Sequence, residues 1–414
     1  MDHRMGHRSG HHTGRHPGPA PSAPVILGND PGSFAWSVQH ERHPALIERV
    51  RRGTPYPPAV HRALDALLAE IGEGGVMRGL GDGEADAATW WSWGASEHVG
   101  RRWADAPFLW AESYFYRRLL GALGYFGTGP WRAVDPFAPF KSAELRGAGV
   151  DSELASLDQA SRSPGTRDER DAALLQSSLW GNRADLGFRI SAGDGGVGER
   201  VHRLVHDDSA AFWDVLDRAT APGTVCLVAD NAGPELLPDL VLADHLLGTG
   251  RASAVVLHVK PHPYYVSDAT TDDVLACLRR LTEAEGGAAE TGHRLGEFIA
   301  RGTVILRAHP FSCAPLPYAD MPDDLREDFA SASVTVMKGD LNYRRLVGDR
   351  LWPPTTPFAE ATGYFPGPVA ALRTLKSDVI TGLSGERVAE LDAEGEGGGG
   401  WRTSGRYGLI QVSA

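Results

Sequence analysis

From about residue 25 to residue 175, apolar positions recur at spacings of three and four. Residues 61–72 and 103–121 carry this period most clearly and predict amphipathic helices. Beyond about residue 173 the texture changes. Short uninterrupted apolar runs at 224–229, 254–259, 303–306 and 334–337 predict buried strands. Stretches with a helical period, 235–247 and 271–284, lie between them. Strands separated by helices imply parallel βαβ units with right-handed crossovers, and hence an α/β fold with a three-layer α/β/α, Rossmann-like sheet. The expected organisation is a mainly helical domain over 25–172 and an α/β/α domain over 173–414, with the polar stretch 143–172 as the connection. Residues 1–24, rich in His, Gly and Pro and without apolar periodicity, are expected to form a disordered tail.

At 414 residues the chain exceeds the size at which one hydrophobic core stops growing, which agrees with two units. A formal net charge of −12 argues against a nucleic-acid partner, because a phosphate backbone demands clustered Lys and Arg. A small ligand is the better expectation, and an anionic one would need a bound cation or a few local basic groups. The three cysteines, Cys226, Cys277 and Cys313, form no metal-binding pair and no complete disulfide framework. Cys226 falls in an apolar run, where an inert buried thiol is expected. The tail residues His3, His7, His11, His12 and His16 are too scattered for a specific metal site. No apolar stretch is long enough to span a membrane and no signal-peptide core is present, so no membrane partner and a cytoplasmic location are expected.

Parallel sheets place ligands at the carboxyl ends of their strands, so the residues after each apolar run are where chemistry belongs. The run ending at Ala229 is followed by Asp230-Asn231-Ala-Gly233-Pro234-Glu235, a carboxylate and an amide oxygen together. The run 254–259 is followed by a loop from Lys260 to Asp268. The run 334–337 leads to Lys338, Gly339, Asp340, Asn342, Tyr343 and Arg344. Hard oxygen donors without clustered imidazoles or thiols suit Mg²⁺ or Mn²⁺ better than zinc. Further on, Arg373 and Lys376 bring two cations beside an apolar segment. Glu112 and Arg117 are charges inside an aromatic-rich helical stretch whose other members read as core.

The motifs SLWGNRADL, VADNAGPELLPDLVLADHLL, PYYVSDAT, VMKGDLNYRRL and RTLK, with the tail TSGRYGLIQV, resemble the DUF89 or damage-control phosphatase family. The likeness is to its RTxK subfamily, which includes acidic-residue methyltransferase-like proteins, and it spans roughly residues 100–412. It implies a helical domain on a Rossmann-like domain and a metal-dependent phosphatase acting on small phosphorylated metabolites. It further implies that Asp230, Asn231 and Asp268 bind a divalent ion, Mn²⁺ or Mg²⁺ with Co²⁺ or Ni²⁺ possible. Lys338, Gly339, Asp340, Asn342, Tyr343, Arg344 and Lys376 would hold the substrate, with Asn182 in support. Family members often carry Lys where this chain has Arg183. The ion would bridge a phosphoryl oxygen and an attacking water, with Asp230 or Asp340 orienting that water.

Three other readings stand beside this one, of which a catalytically silent binding protein that keeps the fold is disfavoured by the completeness of the motifs. The glycines Gly193, Gly195 and Gly198 match a dinucleotide-binding pattern ahead of a helix-like run, 199–216. The preceding segment is poorly apolar, however, and no strand with a terminal acid follows at the required distance. An S-adenosylmethionine-dependent carboxyl methyltransferase is the stronger rival, although methyl transfer to a carboxylate needs no metal site.

Overall fold

A computed structural model describes residues 23–81, 83–162, 165–181, 204–394 and 400–414. Asn182, Arg183, the glycine pattern at 193–198 and the histidines of the tail lie outside the described residues.

Seven strands form one sheet: β1 (Leu204–Asp207), β2 (Gly223–Val228), β3 (Ala252–His258), β4 (Val304–Arg307), β5 (Ala332–Lys338), β6 (Val369–Thr374) and β7 (Gly408–Ser413). Their order is β1-β7-β6-β5-β2-β3-β4. The four strands expected from apolar runs are β2 to β5, all mutually parallel where they pair. The expectation of parallel units fails at β7, which runs antiparallel to β6 and parallel to β1. Between β6 and β7 the chain forms the helix Gly385–Glu394 and returns in the opposite sense. The helix-like run 199–216 also resolves differently, since Leu204–Asp207 is the strand β1 and the helix begins at Ser209.

The chain moves from β2 outward to β3 and β4, then crosses to the other side of β2 to form β5. A topological switch point therefore lies between β2 and β5, and the crevice it opens at the strand carboxyl ends is where an α/β sheet binds ligands. Helix Leu236–Gly248, which follows β2, is apolar on nearly all sides and correspondingly buried, between the sheet and helix Arg167–Trp180.

The stretch 143–172 is not a polar connection. It contains the whole helix Ala148–Arg162, whose Val150, Leu154 and Leu157 stand at four- and three-residue steps and enter the same apolar core as the sheet. Polar residues outnumber this narrow stripe and hide its period. The helical unit has its own core, built on Val60, Leu64, Leu67 and Ile71 of helix Pro58–Ile71. Helix Phe108–Ala122 crosses it with Trp110 and Tyr114 stacked 4.8 Å apart. Glu112 of this helix ion-pairs with Arg344 at 2.8 Å, and Asp349 binds Arg344 from the other side at 2.7 Å. Arg117 is neutralised by Glu84 and by Asp86, which lies 2.6 Å away.

Ala23 and Pro24, assigned to the tail by composition, belong to the folded body. The Ala23 carbonyl accepts from Arg350 Nη1 at 2.7 Å and the Pro24 carbonyl from the Leu351 amide at 2.9 Å. Backbone acceptors of this kind leave no mark on side-chain periodicity. Removal of residues 1–22 should therefore leave urea stability unchanged. Removal of 1–27 deletes both hydrogen bonds and the Ile26–Leu27 packing, and should lower unfolding free energy by about 2 kcal/mol or more in an equilibrium denaturation experiment.

Candidate functional site

Four neighbouring strands, β6, β5, β2 and β3, end side by side and deliver Lys376, Gly339, Asp230 and the loop to Asp268 along one edge of the sheet. Asp230 stands two residues beyond β2, the middle strand of the parallel set. Main-chain bonds draw the β3 loop onto it: the Ala269 amide donates to the Asp230 carbonyl at 2.9 Å and the Ala232 amide to the Ser267 carbonyl at 2.7 Å. Asn231 and Asp268 thus form an antiparallel bridge outside the sheet. The Lys260 amide donates to the Ala269 carbonyl at 2.8 Å and closes the loop from its other side.

Side chains complete this arrangement. Asn231 Nδ2 donates to Asp230 Oδ2 at 3.1 Å, and Ser267 Oγ donates to Asn231 Oδ1 at 2.7 Å. Asp268 Oδ2 accepts from the Tyr265 amide at 2.9 Å. Both carboxylates are buried. Burial, then the charges of Glu235 and Asp268, push the proton affinity of Asp230 well up against the opposing pull of Lys376 and Lys260. Two buried acids that repel in this way, with an amide beside them, are a donor set that a divalent cation fits. A half-turn of the Asn231 amide would aim Oδ1 at the same space, and the Ser267 hydroxyl can accept from Nδ2 as readily as it donates to Oδ1. Among the described residues no group of three or more His, Cys, Asp and Glu gathers as a metal site, so the donor set here depends on an amide as well as acids.

Gly339 has φ +80° and sits directly on Asp230, where an added Cβ would fall 1.8 Å from Oδ2. Only glycine tolerates both conditions. Asn342, fully buried, donates to the Ala229 carbonyl at 3.0 Å and so steadies the residue before Asp230. Asp340 Oδ1 accepts from Arg373 Nε at 2.8 Å, Ser377 Oγ at 3.0 Å and the Lys376 amide at 3.3 Å. Burial favours its neutral form, but Arg373 and Arg344 outweigh this and hold its carboxyl below the ordinary range. Asp340 thereby ties the Lys376 loop to the Gly339 turn. The Lys376 ammonium lies 3.7 Å from Glu235, and the Lys376 side chain is 44% exposed.

Besides Asn342, three of the residues implied as substrate contacts are deeply engaged elsewhere. Lys338 Nζ lies 2.8 Å from Asp239 and donates to the Ser178 carbonyl. The Tyr343 hydroxyl meets Thr381 at 2.9 Å and Gln411 at 3.0 Å in the core. Arg344 is taken up by Glu112 and Asp349, as described above. Sequence reasoning passed over Glu235, Lys260 and Ser267. Glu235 was within reach, since it completes the turn after β2, but Ser267 and Lys260 gain their roles only when the β3 loop folds back. A cavity of about 430 Å³ is lined by Asn29, Ser33, Phe34, Phe108, Arg344 and Ser377, and none of Asp230, Asn231 and Asp268 lines it.

Comparison with known proteins completes the picture. Residues 38–391 match the damage-control phosphatase ARMT1-like domain. The damage-control phosphatase ARMT1 of Danio rerio is 28% identical over 92% of this chain and 95% of its own. That of Mus musculus is 33% identical over 75% of each. A crystal structure of a DUF89 family protein from Pyrococcus horikoshii aligns with a TM-score of 0.46 at 17% identity, over 83% of this chain and 91% of that one. With the family domain matched across most of its length, this chain belongs to the damage-control phosphatase ARMT1-like family.

Proposed function

We propose that this phosphatase hydrolyses small phosphorylated metabolites, sugar phosphates or related esters, with a divalent ion held by Asp230, Asn231 and Asp268. The observation that carries the reading is the bridge that sets two buried, mutually repelling carboxylates and an amide at the switch point, with a half-exposed lysine opposite. Mn²⁺ or Mg²⁺ matches these oxygen donors, and Co²⁺ or Ni²⁺ could substitute. When bound, the ion supplies Lewis-acid polarisation of a phosphoryl oxygen and an acidified water. Lys376 offsets charge on the phosphoryl oxygens that face away from Asp230. Asp230 orients the attacking water, because the Oδ1 of Asp340 is already committed to Arg373, Ser377 and the Lys376 amide. The turn around Gly339 brings backbone against Asp230 without a side chain in the way. No helix of the described residues is long and apolar enough to cross a membrane, which is compatible with the cytoplasmic location the reading assumes.

Phosphate release from a panel of esters, with each of the four ions and after chelation, tests the reading directly. Activity that survives thorough chelation would sink it, and methylation of a carboxylate by S-adenosylmethionine in the same preparation would put the methyltransferase in its place. Asp230→Asn keeps the shape but removes one of the repelling charges. Its turnover should fall by roughly 100-fold or more while its melting temperature without metal stays level or rises.

Two further variants separate binding of the ion from handling of the phosphate. Lys376→Ala should lower kcat/KM by about 10²-fold yet leave the calorimetric affinity for Mn²⁺ within a factor of two or so. Gly339→Ala drives a methyl group into Asp230 and forces an unfavourable backbone angle, so Mn²⁺ affinity and turnover should fall together. A Gly339→Ala protein with full activity would show that this turn does not define the site.

A further inference from the structure

We propose that Lys141, contributed by helix Ala138–Leu145 of the helical unit, is a positioning residue that holds the Asp268 loop in its ion-binding geometry. The inference rests on the metal-dependent reading above and adds a residue to it. Lys141 is 5% exposed, and its ammonium meets three acceptors: Asp268 O at 2.9 Å, Asp273 Oδ2 at 2.8 Å and Asp135 Oδ2 at 3.0 Å. An ammonium has three protons, so its hydrogen-bonding capacity is filled by these contacts.

The three acceptors belong to three different pieces of structure. Asp135 is in the helical unit, where its Oδ1 also accepts from the Phe137 amide at 2.7 Å. Asp273 closes the capping box of helix Thr271–Thr282, taking the Thr270 amide at 2.9 Å and the Thr270 hydroxyl at 2.7 Å on the same Oδ2. Asp268 lies between them in the loop that reaches Asp230. One side of this loop is fixed by the Ala269 amide on the Asp230 carbonyl, and Lys141 fixes the other through the carbonyl of Asp268 itself. The same helix also backs the turn after Asn231, since a Cβ at Gly233 would lie 3.8 Å from the Leu145 amide and 3.9 Å from the Lys141 carbonyl. One helix of the helical unit thus supports both turns that carry the ion's donors. Lys141 donates to a backbone oxygen and leaves the Asp268 carboxylate for the ion, so it positions the donor without competing for it.

The full chain with Lys141→Met tests this, with Mn²⁺ as the probe. Calorimetric affinity for Mn²⁺ should weaken on the order of 10-fold, as when outer-sphere support is removed elsewhere. The turnover number at saturating Mn²⁺ should fall by less than about threefold, because the donors themselves remain. Asp135→Asn withdraws charge from only one of the three acceptors and should weaken Mn²⁺ binding in the same direction by less, which keeps the test alive if Lys141→Met fails to fold. Unchanged Mn²⁺ affinity in the folded Lys141→Met protein, or in Asp135→Asn if that is the only folded variant, accompanied by a lower melting temperature would make Lys141 a brace between units and nothing more. Wild-type protein that binds no Mn²⁺ would overturn the metal-dependent reading itself, and this inference with it.

Discussion

The site depends on how closely the backbone at residue 339 approaches the carboxylate of Asp230. That contact exists because residue 339 has no Cβ and adopts a positive φ. It fixes the end of β5 against the end of β2 at the point where the chain switches direction across the sheet. From there the geometry spreads outward. Asn342, one turn along the helix, reaches back to the Ala229 carbonyl, while Asp340 reaches forward to Arg373 and Ser377 and so sets the Lys376 loop. Lys338, Tyr343 and Arg344 of the same motif are held by partners within the fold, while Gly339 and Asp340 set the surroundings of Asp230 and the Lys376 loop.

Such scaffolding is costly to build from charges. Arg344, Lys338 and Arg373 are all nearly or fully buried, and each must be matched by acids and carbonyls. The matching is thorough. Arg344 has Glu112 and Asp349, Lys338 has Asp239, and Arg373 has Asp340 together with the carbonyls of Val379 and Ser377. Buried pairs of this kind are poor evidence for stability, but breaking one leaves an uncompensated charge, so they define a single arrangement of the loops around the crevice.

The parts that were legible in the sequence are those that leave a one-dimensional trace. β2 to β5 each carry a short apolar run, and the helices between them keep a clean period. The strand-end rule singles out Asp230, Asn231, Asp268 and the Lys338–Asp340 turn as candidates, and the fold brings Asp230, Asn231, Asp268 and Gly339 together. Hidden were β1, β6 and β7, which no clean helical period sets off, and the helix Ala148–Arg162, whose buried stripe is narrow. The rolls of individual residues were harder still. Tyr343 and Lys376 both look like ligand contacts in a motif, yet one hydroxyl is sealed against Gln411 and the other side chain opens to solvent. Lys141 carries no motif at all, because its partners come from residues scattered over more than a hundred positions of the chain.

The place of β7 in the sheet has a consequence for how the protein is made. β7 lies between β1 and β6 and pairs with both, so β1, at Leu204–Asp207, has no neighbour in the sheet until Gly408–Ser413 has been synthesised. While the ribosome is still adding the intervening residues, β6 presents an open edge on its β7 side, a template to which another nascent strand can add. Asp230 lies two strands further in, but the loop that carries Lys376 waits for the same late segment, because Leu375 donates to the Tyr407 carbonyl and accepts from the Gly405 amide, both at 2.8 Å. Settling of the Lys376 loop and closure of the sheet thus come late together, and until then the open edge of β6 is the place where a second strand could add.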